Sequence, residues 1–111
     1  MISNVFSEDK KAILTLFKKK EFKKVIKLGK KLTKKYPEDF QLLYALGLSF
    51  VNLQNYTDAE NCFKKILLFR KTAEILYNYG NIQSKLKNYK KAINSFNEAI
   101  SLNPNFSEAY N

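Results

Sequence analysis

Leu53-Gln54-Asn55-Tyr56-Thr57-Asp58-Ala59 returns 33 residues later as Leu86-Lys87-Asn88-Tyr89-Lys90-Lys91-Ala92. A looser copy, Phe17-Lys18-Lys19-Lys20-Glu21-Phe22-Lys23-Lys24-Val25, precedes the first by 34. Gly47 and Gly80 are also 33 apart, and Pro37 and Pro104 are 67 apart, one period of each length. A fixed spacing of this size is the mark of a chain built from stacked supersecondary units. Three units fit: about 6–39, 40–72 and 73–106, with a fourth beginning at 107–111.

Apolar residues recur in each unit at helical spacing in two blocks, as in Leu42, Leu43, Leu46 and Phe50 followed by Ala59, Phe63, Ile66 and Leu67. Each unit is therefore expected to be a helical hairpin. Asn55 and Asn88 stand before the second helices, where their side chains are expected to accept from a free first-turn N–H. Pro37 and Pro104 stand where those helices must stop.

The pattern resembles the tetratricopeptide repeat, a 34-residue unit with Leu at position 7, Gly or Ala at 8, aromatics at 11 and 24, Ala at 20 and 27, and Pro at 32. The third unit carries Leu76, Tyr79, Gly80, Ala92, Phe96, Ala99 and Pro104 at positions 4, 7, 8, 20, 24, 27 and 32, with Gln83 replacing the aromatic at 11. The second carries Leu43, Leu46, Gly47, Phe50, Ala59, Phe63 and Ile66, with Lys71 replacing the proline. In the first, Ile13, Val25 and Gly29 depart from the pattern, whereas Leu16, Phe22, Leu32 and Pro37 keep it. The resemblance implies an all-α fold, with helical hairpins stacked into a right-handed superhelical solenoid. Gly47 and Ala59, or Gly80 and Ala92, are expected where paired helices cross. Ile13 and Val25 imply looser packing in the first hairpin. Ending near residue 111 is expected to leave the helix at 89–102 partly uncovered, so that the array continues or pairs with a second copy through that face.

Catalysis has little to work with: without histidine there is no imidazole base or ligand, and one cysteine cannot build a zinc cage. No enzyme activity, metal or cofactor is expected. Gly29-Lys30-Lys31 lacks the earlier glycine, the Ser or Thr and the preceding strand of a phosphate-binding loop. Cys62 lies on an apolar helix face and reads as a core residue in a reducing, cytoplasmic setting. Residues 40–57 carry no charge, yet their amides and serine make the stretch a buried helix rather than a membrane span.

The resemblance places recognition of a protein or peptide in a groove lined by positions 2, 5, 6, 9, 12 and 13 of each unit. The groove candidates are Lys10, Phe17, Tyr44, Leu48, Tyr77, Asn78 and Asn81. Tyr44 and Tyr77 are equivalent, and are expected either to stack along the groove or only to cover neighbouring helices. Asn78 and Asn81 could bond a peptide backbone, as asparagines do in arrays preceding O-linked N-acetylglucosaminyl transferase domains. The carboxylate clamp of chaperone-binding arrays fails after Lys10, because Leu14, Ala45, Glu74 and Asn78 stand where its other residues belong.

Twenty Lys and Arg against ten Asp and Glu give a net charge of +10. Residues 1–39 hold twelve lysines and five acids, net +7, against +2 for 40–72 and +1 for 73–111. Lys23, Lys24, Lys27, Lys30, Lys31, Lys34 and Lys35 form a stripe opposite Val25, Ile26, Leu28 and Leu32. The stripe is either a solvated face, in a chain whose Lys, Asn and Ile content suits A/T-rich codons, or a contact for RNA or another anionic surface. Aromatics are not interleaved with it, so only weak, non-specific nucleic-acid binding is expected. The leading expectation is a scaffold for a partner segment; the alternatives are the anionic-surface module and the substrate-recognition arm of a larger transferase.

Overall fold

At position 8 of the second and third hairpins there is no room for a side chain. A Cβ on Gly47 would lie 2.9 Å from Phe63, and one on Gly80 2.7 Å from Phe96. The computed structural model describes residues 2–105, with side-chain surroundings from residue 7 onward. Among the described residues are six helices: α1 (Ile2–Lys18), α2 (Phe22–Lys35), α3 (Phe40–Asn52), α4 (Tyr56–Leu67), α5 (Ala73–Lys85) and α6 (Tyr89–Leu102). They pair as α1–α2, α3–α4 and α5–α6, and successive hairpins stack through α2–α3 and α4–α5. The fourth unit expected from 107–111 lies outside the described residues.

The glycines admit the ring at position 24, a more specific arrangement than the expected meeting of Gly with Ala at 20. Ala59 and Ala92 are buried, but Phe63 and Phe96 fill the space over the glycines. In the first hairpin the sizes are exchanged: Ile13 holds position 8, and Gly29 holds 24 with Leu46 of the next hairpin 3.1 Å from where its Cβ would be. Ile13 and Val25 are both fully buried. With Leu32 they pack against Leu42 and Ala45 of the next hairpin in one apolar cluster.

The turns inside the hairpins repeat more faithfully than their sequence does. Lys20, Gln54 and Lys87 all stand at position 15 of their units, and all have a left-handed backbone, with φ of 60°, 62° and 66°. In each turn one N–H reaches back three residues and the next reaches back five. Gln54 donates to Val51 and Asn55 to Phe50, at 2.9 and 2.8 Å; Lys87 and Asn88, and Lys20 and Glu21, do the same. This is the Schellman closure of a helix C-terminus, built without glycine. It also overturns the expected capping role of Asn55 and Asn88, neither of which makes a side-chain cap bond. Each is held with φ near −90° and ψ near 70°, as Glu21 is, because its own N–H is committed to the preceding helix. The side-chain caps lie between hairpins instead: Asp39 accepts from Leu42 N–H at 3.0 Å and Thr72 from Ile75 N–H at 3.2 Å.

Pro37 and Pro104 follow the C-caps Tyr36 and Asn103, beyond the ends of α2 and α6. Without a proline, α4 closes on short-range bonds, with Phe69 and Arg70 N–H both reaching the Ile66 carbonyl. Gln83, standing for the usual aromatic, is buried and accepts from the Ser95 hydroxyl at 2.6 Å. The same two positions in the second hairpin hold Phe50 and Cys62, so an apolar pair has given way to a matched polar one. On α6, Tyr89 and Ile93 are exposed, whereas their equivalents Tyr56 and Glu60, and Phe22 and Ile26, are half-buried.

Candidate functional site

The first helices α1, α3 and α5 share one side of the array. A cleft of about 120 Å³ opens between α3 and α5, lined by Leu48, Val51, Tyr56, Asn78, Asn81, Ile82 and Lys85. Five of these seven occupy groove positions. Leu48, Val51 and Ile82 make an aliphatic wall, Asn78 and Asn81 bring amides, and Lys85 stands one helical turn beyond Asn81. Val51 and Lys85, at groove positions 12 and 13, join the site although only the general groove pattern pointed to them. Tyr56 begins α4 and was invisible to any pattern confined to first helices.

Tyr44 is a tie between hairpins. Its ring stacks on Phe40 at 5.2 Å and meets Phe63 edge-on at 5.9 Å, and its hydroxyl accepts from Asn78 Nδ2 at 2.9 Å. Arg70 covers the other end of the stack, its guanidinium 4.1 Å from the Phe40 ring centre. Burial pushes the Tyr44 hydroxyl up to about 12, with the Glu74 carboxylate adding to the rise and the Asn78 bond opposing it. Tyr77 packs on Phe96 at 5.9 Å. Both tyrosines thus rest on the position-24 phenylalanine of their own hairpin, and both are half-buried.

Other candidates are also committed to the fold. Lys10 pairs with Asp39 at 2.9 Å, joining α1 to the carboxylate that caps α3. Phe17 meets Phe22 edge-on at 5.8 Å across the first turn. Asn78 spends one amide proton on Tyr44, while Asn81 is exposed and Leu48 half-buried at the cleft. Cys62 is buried, and desolvation pushes its thiol up to about 11, as suits a packing residue. No group of three or more His, Cys, Asp or Glu among the described residues could hold a metal ion.

The seven lysines of the stripe are all exposed along α2. Lys24 pairs with Glu21 at 3.0 Å, Lys30 leans over the Phe50 ring at 5.8 Å, and Lys35 over Tyr36 at 5.7 Å. No helix among the described residues is long and apolar enough to cross a membrane. The uncharged residues 40–57 form α3, a turn and the first residues of α4, and most of α3 is buried.

Paired helices stacked hairpin on hairpin, two of the pairs closed by a ring seated on a glycine, define a helical-hairpin repeat protein. The chain belongs to the tetratricopeptide repeat family, whose models match residues 40–71 and 73–106. A search of curated proteins finds no match. Among solved structures, MamA is 27% identical with a TM-score of 0.81 over 86% of this chain and 57% of its own. The Arabidopsis OM64 TPR domain is 20% identical with a TM-score of 0.86, over 96% and 89%. YrrB, described as a TPR protein with an unusual peptide-binding site, is 23% identical with a TM-score of 0.80, over 87% and 50%. The chain thus spans little more than half the length of MamA and half that of YrrB.

Proposed function

We propose that the chain is a protein-interaction scaffold that holds an extended partner segment against α3 and α5, with one aliphatic side chain in the cleft between them. The cleft carries this reading. Its 120 Å³ is small beside the several hundred of a typical small-molecule pocket, but suits a single leucine, isoleucine or valine side chain. Its wall is aliphatic, and Asn81 has its amide free to meet a peptide group whatever the sequence. Lys85 at one end favours an acidic neighbour, and Glu74 near Tyr44 disfavours one at the other.

Linear peptides selected on the immobilised chain test this. Selected sequences are expected to pair an aliphatic residue with an acid. Val51→Asp should weaken them at least tenfold by placing a charge in the apolar wall, and Lys85→Glu should reverse the charge preference. Peptides that bind both variants as well as the parent chain would rule the cleft out.

A further inference from the structure

Among the features that the groove leaves unused are the lysines of α2 and an apolar turn after α4. Leu68 is 85% exposed and Phe69 43%, adjacent residues at the mouth of the α4–α5 connection. The two adjacent apolar residues stand in a cationic setting, between Lys64 and Lys65 on one side and Arg70 and Lys71 on the other. In the repeat register Leu68 and Phe69 hold the positions that Lys34 and Lys35 hold at the end of α2. Lys64 and Lys65 likewise repeat Lys30 and Lys31. Stacking brings the two helix ends together, since Thr33, Pro37 and Glu38 line one hollow with Lys65, Leu68 and Phe69. Lys31, Lys34 and Lys65 have no partner among the described residues, and Glu38 is the one acid lining that hollow.

We propose that the edge formed by the C-terminal ends of α2 and α4 docks on an anionic bilayer, with Leu68 and Phe69 entering the interface and Lys31, Lys34 and Lys65 facing the head groups. A protruding apolar pair beside solvated lysines fits a surface that is charged outside and apolar a few ångströms deeper. A nucleic acid offers the charge and a base for Phe69, but no use for the more exposed aliphatic Leu68, and a single ring is not the run of aromatics that stacks successive bases. The docking edge lies apart from the α3–α5 cleft, so both surfaces can act at once.

The test is co-sedimentation of the full chain with vesicles of phosphatidylcholine, alone or with one-quarter phosphatidylserine, beside binding to poly(U) RNA at the same salt. Binding is expected to the serine-containing vesicles and not to the neutral ones. Leu68→Ser with Phe69→Ser should lower it at least tenfold, and so should Lys31→Glu with Lys34→Glu. The lysine pair and Leu68→Ser alone should move the melting temperature by no more than a few degrees, because Lys31, Lys34 and Leu68 face solvent, whereas Phe69 is partly covered in the hollow. Leu68→Ser alone serves should the double variant fail to fold. Absence of vesicle binding, equal binding to both vesicle types, or RNA binding with vesicle binding indifferent to the serine substitutions would overturn the proposal.

Discussion

At the scale of single residues, the fold turns on how closely a ring can approach a backbone. Phe63 lies over Gly47 and is itself fully buried under Tyr44, so a methyl at position 47 has nowhere to push it. Gly47→Ala gains about 1 kcal/mol of helix propensity but should lose more to overpacking, for a net loss of about 1–2 kcal/mol in denaturant unfolding. Ser49 offers the opposite case. Its hydroxyl is fully buried and has no hydrogen-bond partner, so Ser49→Ala should raise stability by about 1 kcal/mol. Tyr44 links stability to pH. Its folded hydroxyl titrates near 12 against about 10 unfolded, so the preference for the folded state is intact below pH 10 and is lost as pH rises from there towards 12. Phenolate absorbance should show a late-titrating tyrosine that Tyr44→Phe removes.

At the scale of elements, the spacing of 33 and 34 residues made the helical hairpins legible, because it fixes where apolar faces, glycines and prolines fall. The turns were not legible in the same way. Lys20, Gln54 and Lys87 share one backbone conformation without sharing a residue type, and none is the glycine that would announce it. Non-glycine residues pay about 1 kcal/mol in that region, whereas glycine costs slightly less through unfolded-state entropy. Gln54→Gly should therefore raise stability by about 0.5 kcal/mol, and Gln54→Val should lower it by about 1 kcal/mol or more, as read by thermal unfolding. The asparagines beside these turns misled for a related reason. Their residue type suits a side-chain cap, but the backbone closure of the preceding helix fixes them in a geometry where the side chain caps nothing.

At the scale of the whole molecule, the family pattern named first-helix positions that line the α3–α5 cleft, but the chemistry of that cleft could not be read from single helices. Pattern positions name residues on one helix face at a time. The cleft exists only because α3 and α5 stand side by side, with Tyr56 entering from α4. The same juxtaposition engages the Tyr44 hydroxyl and one Asn78 amide proton with each other across 34 residues of sequence. Lys10 is similarly drawn into holding α1 against the cap of α3. The most direct measurement is a methyl-labelled NMR titration with a peptide selected on the parent chain. Leu48, Val51 and Ile82 methyl resonances are predicted to shift together, with those of Leu28 and Leu32 on α2 unmoved. Shifts centred on α2, with the cleft methyls unchanged, would contradict the groove account.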